Sequence, residues 1–345
     1  MNQIRVGVIG TGSMGLRHCR VYSNLRRAQL VGICDAAPQV GRQVAQQYGV
    51  PYYQRLDDLL EHVDAVSLAA PTPLHFDLAM RCLARDVHLL VEKPVTETIE
   101  QAEELTRVAE ASGLTVMVGH IERFNSAYGE LKNVLDGMTV LAVNLRRLSP
   151  YVGSNKAVDV VLDLMIHDTN LVLDLVGQEP VAVNAHGLTA FSGMIDHAVA
   201  NLYFESGPLI TMTASRVVEQ KVRSIEVAAT EAYLECDLLN KSVLVHRSTV
   251  GEYQTLNRRG TRYRQESIVE HIYVPIFEPL FYELQHFVDC IAEGKPTLVP
   301  AREGLKALQL AVRIQKAIHA QLIDTRSRLE PVAANISPVA SLLAR

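Results

Sequence analysis

Two groups of polar residues, far apart in the chain, have the chemistry needed to oxidise an alcohol. Lys93 lies in the tetrapeptide VEKP, residues 91–94, at the end of a predicted strand. Asp163 and His167 lie four residues apart in the mostly apolar stretch 157–177, which is long enough for a helix. A helix places side chains with this spacing on one face. The pattern therefore predicts an acid–base pair and a lysine that serve one site.

We predict that His167 is the catalytic base, because imidazole has an unperturbed pKa of about 6.5 and alcohol oxidation needs a group that takes the hydroxyl proton. Asp163 would orient the ring and favour its protonated form, and the Lys93 ammonium would stabilise the developing alkoxide. These roles require the two domains to close around the substrate. The residues alone leave a simpler alternative open, a solvated lysine and an exposed polar helix face. That polar face would also include Asp159, Asn170 and Asp174.

A glycine-rich segment near the N-terminus predicts a nucleotide site. Residues 10–15, GTGSMG, form a G-x-G-x-x-G motif between the predicted strand 4–9 and a helix. In such a motif the first Gly allows a tight turn, the second lets the backbone approach a pyrophosphate, and the third lets the helix pack close to the strand. The N–H groups at the start of the helix are available to the phosphates. The predicted phosphate-binding residues are Gly10, Thr11, Gly12, Ser13, Met14 and Gly15.

Asp35 indicates which dinucleotide binds. It ends the second predicted strand, twenty residues after Gly15, where a carboxylate accepts hydrogen bonds from the adenosine ribose and repels a 2′-phosphate. Ala36 and Ala37 follow it, in place of Arg or Ser. The predicted cofactor is therefore NAD and not NADP, although Arg42 could still reach the same pocket.

The order of the predicted elements indicates two kinds of sheet. From residue 4 to about 119, short β-branched runs alternate with helical patterns, which is typical of a parallel sheet covered by helices. Beyond residue 139, successive strands with short connections predict an antiparallel sheet with the helix 157–177 packed on it. The first group of predicted strands is 4–9, 29–34, 64–69, 87–91 and 115–118, and the second is 139–148, 181–189, 197–204, 208–216, 222–229, 231–236 and 242–247.

The predicted fold is thus an N-terminal Rossmann domain, a doubly wound parallel α/β sheet, followed by a C-terminal α/β domain with a large open antiparallel sheet. A chain of 345 residues exceeds the size at which one core usually divides, about 250–300 residues. The predicted boundaries are 1–122 for the NAD-binding domain, 123–325 for the substrate-binding and oligomerisation domain, and 326–345 for an extended tail. Further helices are predicted at about 279–293 and 301–322.

Composition excludes several classes of partner and site. The 33 basic and 38 acidic side chains give a net charge of −5, which offers no positive field for a nucleic acid. A signal peptide and a run of about 20 apolar residues are both absent, so we expect a cytoplasmic protein with no membrane contact. The five cysteines form no C-x-x-C pair and are expected to be reduced. The sequence has no H-E-x-x-H or similar ligand cluster, so no metal is predicted.

Four motifs, taken in order, resemble those of the glucose–fructose oxidoreductase, inositol dehydrogenase and rhizopine-catabolism (Gfo/Idh/MocA) family over nearly the whole chain. They are residues 10–15, the loop APTPLH at 70–75, EKP at 92–94, and the pair Asp163 and His167. The resemblance implies that the proline loop lines the nicotinamide, that Lys93 enters the active site and that His167 handles the proton. It also implies a homo-oligomer formed through the open sheet. The cofactor-binding residues that it adds are Ala70, Pro71, Thr72, His75, Glu92 and Lys93.

Within this family, the segments 119–125 (GHIERFN) and 278–284 resemble the enzymes that oxidise UDP-N-acetylglucosamine at C3. The resemblance implies a 3-keto sugar nucleotide that an aminotransferase would convert into a 3-amino sugar, as in lipopolysaccharide or lipid A biosynthesis. Arg123 and Asn125 would contact the substrate, since guanidinium matches phosphate geometry. Loop packing or a helix cap is an equal alternative for these two residues. The chain departs from relatives at Ser126, where Pro is frequent, and at Met165, where Gly is common and a larger side chain would narrow the pocket.

Two alternative functions remain open from the sequence. The same catalytic residues would serve a dehydrogenase of a UDP-uronic acid, a free sugar or a cyclitol. A protein of another class, a non-catalytic NAD sensor, would keep the fold without turnover. Retention of Lys93, Asp163 and His167 argues against a sensor.

Overall fold

The chain forms two compact units. The computed structural model describes residues 3–151, 158–254, 261–320 and 322–324. The first unit contains the described residues up to Ser126 and the segment Ile276–Gln309, and the second contains those of Ala127–Pro275 and from Leu310 onward. The predicted second domain, 123–325, differs from this division because 276–309 groups with the first unit. The predicted tail, 326–345, lies outside the described residues.

The secondary structure follows the predicted alternation and then the predicted series of strands. The α-helices are α1 (Ser13–Tyr22), α2 (Pro38–Tyr48), α3 (Leu56–Leu60), α4 (His75–Leu83), α5 (Ile99–Ser112), α6 (Ser126–Leu135), α7 (Ile166–Val176), α8 (Pro279–Glu293) and α9 (Ala301–His319). The strands are β1 (Ile4–Ile9), β2 (Ala28–Cys34), β3 (Tyr52–Tyr53), β4 (Ala65–Leu68), β5 (His88–Glu92), β6 (Val116–Gly119), β7 (Val140–Leu148), β8 (Ala182–Thr189), β9 (His197–Tyr203), β10 (Leu209–Ser215), β11 (Val222–Ala229), β12 (Tyr233–Asp237), β13 (Ser242–Gln254), β14 (Thr261–Ile272) and β15 (Ile323–Asp324). A helix able to span a membrane is not found in the described part of the chain.

The first unit contains the predicted doubly wound sheet. Its strand order is β3-β2-β1-β4-β5-β6, and every neighbouring pair is parallel. The order reverses between β1 and β4, and open α/β sheets bind their ligands beyond the carboxyl ends of the strands at such a switch point. The glycine loop follows β1 and the proline loop follows β4, so both lie at the switch point. The two-residue strand β3 was not predicted because it is too short to show a period.

The second unit contains a mixed sheet in which most pairs are antiparallel. Its order is β14-β13-β12-β11-β7-β10-β9-β8-β15, with parallel pairing only for β10 with β7 and β15 with β8 among the described residues. The predicted open antiparallel sheet is confirmed in its main part. The strand β14 was not predicted, since its sequence, TRYRQESIVEHI, mixes charged with apolar residues and lacks a clear alternation. It pairs along its whole length with β13.

The helix that carries the predicted base begins with a wider turn. Residues Val161–Met165 form a π-helical turn, and α7 continues from Ile166 to Val176. The carboxylate of Asp159 accepts hydrogen bonds from the N–H groups of Val161 (2.9 Å) and Leu162 (3.0 Å), and so caps the start of this segment. The predicted helix is confirmed. The expectation that Asp163 and His167 lie on one face, however, assumed α-helical winding between them. A π-turn inserts an extra residue per turn and is frequent at functional sites.

A buried ion pair attaches α7 to the sheet. The guanidinium of Arg147, at the end of β7, donates to one carboxylate oxygen of Asp168 through Nε (2.9 Å) and Nη2 (2.6 Å). Both side chains are buried, and the apolar residues Met165, Ile166 and Val172 of the same segment pack into the core. Asp168 directly follows His167 in the chain. The pair therefore sets the rotation of the helix about its axis and, with it, the direction of the His167 side chain.

We expect Asp168→Ala to lower the free energy of unfolding by about 3–5 kcal/mol, because it leaves the Arg147 charge buried without its carboxylate. The double variant Arg147→Met/Asp168→Leu should recover most of this loss, since an apolar pair of similar volume removes both buried charges. Urea denaturation followed by circular dichroism measures both. The control is Glu104→Ala, which breaks an exposed pair with Arg107 and should change the midpoint far less. A small effect of Asp168→Ala, equal to that of the control, would contradict the structural role of the buried pair.

Candidate active site

The glycine loop has the geometry of a pyrophosphate cradle. Gly10 has φ of +83°, and a Cβ there would lie 2.7 Å from the backbone nitrogen of Ala70. A Cβ on Gly15 would lie 1.8 Å from the carbonyl oxygen of Gly10, so both positions require glycine. At Gly12 a Cβ would have no neighbour within 4 Å, and this residue precedes α1 without a side-chain cap. The open space lies over the backbone at the helix N-terminus, which fits the approach of a dinucleotide pyrophosphate.

Asp35 is held as a carboxylate beside this loop. Its Oδ2 accepts hydrogen bonds from the N–H (2.6 Å) and the hydroxyl (2.5 Å) of Thr11, and its Oδ1 accepts from the N–H of Ala37 (2.8 Å). Burial raises the pKa of Asp35, but these hydrogen bonds outweigh burial and the pKa is lowered on balance. The guanidinium of Arg42, the residue that left NADP open, lies 5.8 Å from the ring centroid of Tyr52. A fixed negative charge at the end of β2 fits NAD.

His75 connects the proline loop to the lysine loop. Its ring nitrogens lie 2.9 Å from the carbonyl oxygen of Pro94 (Nδ1) and 2.8 Å from that of Ala70 (Nε2), and the side chain is buried. Burial lowers the pKa of His75, although both carbonyl groups act in the opposite direction. The structure thus shows His75 between two loops, with Pro71 and Thr72 in the turn that leads from β4 into α4. A role for His75 in cofactor binding would act through the position of these loops.

Glu92 supports Lys93 from within the unit. Its Oε1 lies 3.1 Å from Nε2 of His18 on α1, and its Oε2 accepts a hydrogen bond from the backbone N–H of Lys93 (3.3 Å). A Cβ on Gly119 would lie 3.1 Å from this carboxylate. Glu92 is predicted to bind the cofactor, and its carboxylate is largely buried. It holds the backbone that presents Lys93, and the peptide bond from Lys93 to Pro94 is cis.

Two further acidic side chains, Glu283 and Glu122, lie in the interior near Glu92. Glu283 of α8 is 0% exposed, and neither of its carboxyl oxygens has a hydrogen-bond partner among the described residues. Burial, and then the charges of Glu92 and Glu122, raise the pKa of Glu283 well above its ordinary value. His120 is also buried, and burial together with Lys93 and Arg123 lowers its pKa to about 3. Glu283 therefore holds its proton to higher pH than an ordinary glutamic acid, and His120 is neutral at neutral pH.

The chemistry of these interior groups was not predicted from the sequence. Glu283 lies on the apolar face of α8, between Leu280 and Leu284, where a charged residue breaks the pattern. His18 interrupts the buried face of α1 in the same way. A titratable residue at a core position is the signal that could have identified both.

The two predicted substrate residues of the first unit lie in the turn before α6. Asn125 is buried, and its Nδ2 donates to a carboxylate oxygen of Glu122 (3.0 Å). This contact favours the alternative of loop packing for Asn125. Arg123 lies in the 3₁₀ turn Ile121–Phe124 and is half-buried.

The predicted acid–base pair lies in the second unit. Asp163 is in the π-turn and His167 in the first turn of α7, and both side chains are half-buried. Met165 is fully buried in the apolar core, so the expectation that it narrows the pocket is wrong. The other members of the predicted polar face have different roles: Asp159 caps the segment, and Asp174 accepts from the hydroxyl of Tyr128 (2.6 Å) and from Lys132 (2.8 Å).

Asn170 is the remaining member of the predicted polar face of this helix. Asn170 is 0% exposed, and its amide nitrogen and oxygen have no hydrogen-bond partner among the described residues. It lies three residues after His167, one turn along the same helix. Within the described residues, no cluster of three His, Cys, Asp or Glu side chains could hold a metal ion.

We expect the stability of the protein to fall, relative to the Glu283→Gln variant, as pH rises. The folded-state pKa of Glu283 is raised above the unfolded value of about 4.3, so the stabilising contribution of its proton is complete below that pH and is lost as pH rises through the folded pKa. Within this window the difference in unfolding free energy should grow by up to about 1.4 kcal/mol per pH unit. Denaturation of both proteins at pH 5, 6 and 7 measures it. Parallel pH curves would contradict a raised pKa of Glu283, and Glu103→Gln on the exposed surface of α5 controls for the substitution itself.

Comparisons with known proteins agree with this geometry. Residues 4–120 match the description "Oxidoreductase family, NAD-binding Rossmann fold" of the Gfo/Idh/MocA family, and residues 144–235 match its C-terminal domain. A UDP-N-acetylglucosamine 3-dehydrogenase from Acidithiobacillus ferrooxidans is 31% identical, covering 93% of this chain and 99% of the relative, and its solved structure superposes with a TM-score of 0.83. A scyllo-inositol 2-dehydrogenase (NAD(+)) from Bacillus subtilis is 25% identical over 90% of this chain and 93% of the relative.

These matches confirm the predicted fold, the NAD cofactor and the oxidoreductase class. A scyllo-inositol dehydrogenase structure from Lactobacillus casei, 20% identical with a TM-score of 0.77 over 92% of this chain and 98% of that chain, shares the fold. The glycine cradle, the Asp35 carboxylate and the two matched domains together show that the chain belongs to the Gfo/Idh/MocA family of NAD-binding oxidoreductases.

Proposed function

We propose that this protein oxidises the C3 hydroxyl of UDP-N-acetylglucosamine with NAD, giving a 3-keto sugar nucleotide and NADH. The observation that carries the proposal is the 31% identity to a UDP-N-acetylglucosamine 3-dehydrogenase over nearly the full length of both chains. The residues needed for alcohol oxidation, Lys93, Asp163 and His167, are all present. The keto group of the product is a substrate for transamination, so an aminotransferase of a 3-amino sugar pathway, such as lipopolysaccharide or lipid A synthesis, would consume it.

In the proposed reaction the bound NAD supplies the hydride acceptor. His167 takes the proton of the C3 hydroxyl, with Asp163 in the preceding turn to stabilise the imidazolium. The Lys93 ammonium hydrogen-bonds the reacting oxygen and stabilises its developing negative charge. Glu92 holds the backbone of Lys93 from the interior. Arg123 would contact the diphosphate, since guanidinium matches phosphate geometry.

Residues of the first unit would bind the cofactor. The N–H groups at the start of α1 and the open backbone at Gly12 would hold the pyrophosphate. Asp35 would accept hydrogen bonds from the adenosine ribose. Ala70, Pro71 and Thr72 would line the nicotinamide, and His75 would keep their loop against that of Pro94.

A cyclitol is the second candidate substrate. The B. subtilis relative is named a scyllo-inositol 2-dehydrogenase and matches over almost the same length, at lower identity. A free sugar or a UDP-uronic acid would use the same catalytic residues. A non-catalytic NAD sensor is disfavoured because Lys93, Asp163 and His167 are retained.

A substrate screen separates these functions. We expect UDP-N-acetylglucosamine to give NADH at saturating NAD with a higher kcat/KM than myo-inositol, scyllo-inositol, glucose or a UDP-uronic acid, measured by NADH absorbance. Coupling the assay to a carbonyl trap removes the keto product and prevents a false negative at an unfavourable equilibrium. Turnover of a cyclitol alone would replace the proposed substrate. The absence of NADH with every compound would favour the sensor.

Substitutions at the catalytic residues test the mechanism. We expect His167→Ala and Lys93→Ala to lower kcat by about 10²- to 10⁴-fold, which is the usual contribution of a positioned acid–base group. The affinity for NAD, measured by calorimetry, should change little, because neither residue belongs to the pyrophosphate cradle. His186→Ala, an exposed histidine on β8 of the same unit, is the matched control. Near-normal kcat in either variant would remove that residue from the proposed mechanism.

We also propose that the outer face of the large sheet forms a homo-oligomer. Leu209, Ala142, Ala228 and Tyr233 are neighbours across four strands, and Leu209 and Tyr233 remain 47% and 38% exposed. An exposed apolar row on a sheet is typical of a protein interface. Light scattering should show a dimer or tetramer for the wild type and a smaller species for Leu209→Glu. An unchanged mass of Leu209→Glu would place the contact elsewhere, and a monomeric wild type would contradict the proposal.

A further inference from the structure

We propose that Tyr151 and Phe191 form a stacking site for the base of the nucleoside diphosphate sugar. The inference rests on the proposed function and extends it from the reacting sugar to the distant end of the substrate. Both residues belong to the second unit, which also carries Asp163 and His167. Neither residue has a part in the catalytic chemistry derived above.

The two rings form a contact between separate parts of the chain. Tyr151 follows β7 and Phe191 follows β8, and their ring centroids are 4.9 Å apart with an interplanar angle of 46°. Phe191 is nevertheless 53% exposed. Tyr151 is half-buried. An aromatic side chain buries large areas when it packs in a core, so the exposed ring of Phe191 keeps a stacking surface open to solvent.

Tyr151 and Phe191 lie near the start of the helical segment that carries His167. The N–H of Val160, at the start of that helical segment, donates to the carbonyl of Ile195 in the loop of Phe191 (3.0 Å). The N–H of Ser149, two residues before Tyr151, donates to the carbonyl of Ser215 at the end of β10 (2.9 Å). These bonds place the aromatic pair and the beginning of the His167 helix at one edge of the unit.

The backbone under Phe191 is firmly held. The buried carboxylate of Asp196 accepts from the N–H groups of Ala190 (2.7 Å), Phe191 (2.7 Å) and Ser192 (3.2 Å) through Oδ2. Its Oδ1 accepts from the Ser192 hydroxyl (2.6 Å) and from Nε of Arg216 (2.7 Å). Burial raises the pKa of Asp196, but these bonds outweigh it and lower the pKa to about 2. An exposed ring on a fixed backbone is pre-organised, so little conformational entropy is lost when a ligand stacks on it.

The base is the part of the substrate that suits this surface. The sugar must reach Asp163 and His167 through its hydroxyl groups, and the diphosphate requires cations, whereas a pyrimidine has two flat faces that stack on aromatic rings. Stacking of one base on an aromatic side chain changes affinity by about 5- to 150-fold. Phe191 and Tyr151 are therefore expected to act on binding and not on the chemical step.

The test compares ligands with and without the base on the NAD-bound protein. We expect Phe191→Ala to raise KM for UDP-N-acetylglucosamine by about 5- to 150-fold with kcat nearly unchanged, since the stacking is equal in the ground and transition states. It should weaken UMP binding, measured by calorimetry, by a similar factor. The affinity for N-acetylglucosamine 1-phosphate should stay the same. Phe191→Tyr and Tyr151→Phe, which keep an aromatic face, should retain UMP binding, and Tyr273→Ala, an exposed aromatic outside the pair, should leave all values unchanged.

The outcomes also separate this inference from the proposed function. Unchanged UMP affinity in Phe191→Ala would overturn the stacking site, as would an equal loss for N-acetylglucosamine 1-phosphate, which would indicate a distorted loop. Should the wild type fail to oxidise the UDP-sugar, the proposed function fails, and UMP binding still decides the stacking site. In that case, if the wild type binds UMP and Phe191→Ala binds it more weakly, the stacking site is supported and the protein binds a nucleotide other than the proposed substrate. No UMP binding to the wild type would overturn the inference.

Discussion

The buried contact between Glu92 and His18 links the parts of the first unit on which NAD chemistry depends. His18 belongs to α1, whose start forms the pyrophosphate cradle, and Glu92 ends β5 and holds the N–H of Lys93. The same carboxylate packs against Gly119, directly before His120. A buried carboxylate is retained only where partners compensate its desolvation. Glu92 therefore connects the helix that follows the glycine loop to the backbone of Lys93 within the first unit. Burial, and then the nearby Glu92 and Glu122, raise the pKa of Glu283 in the same interior.

The second unit also contains a buried ion pair, between Arg147 and Asp168. Arg147 and Asp168 attach the helix to the strand β7, and Asp168 is the neighbour of His167. The π-turn before α7 displaces Asp163 from the position that an α-helix would give it. In both units, a buried acidic residue lies next in sequence to a proposed catalytic residue: Glu92 before Lys93, and Asp168 after His167.

Much of the fold and part of the site could be predicted from sequence, for identifiable reasons. The glycine loop and Asp35 are local: their roles follow from backbone sterics and from the position of a carboxylate at a strand end, so the motif alone indicates them. The parallel strands β1, β4, β5 and β6 are buried apolar runs with a clear length. The strand β14 and the π-turn depend on tertiary pairing and on the local winding of a helix, which periodicity does not encode. The grouping of Ile276–Gln309 with the first unit, and the interior positions of Glu92 and Glu283, arise from contacts between residues distant in the chain.

Transfer of the C3 hydrogen of the sugar to NAD is the event on which the proposed function depends. Mass spectrometry of the NADH formed from UDP-N-acetylglucosamine deuterated at C3 observes this event directly. The proposed function predicts that the NADH carries the deuterium, and that substrate deuterated at any other ring carbon gives ordinary NADH. Ordinary NADH from the C3-deuterated substrate, or deuterium that reaches NADH from another carbon, would contradict it.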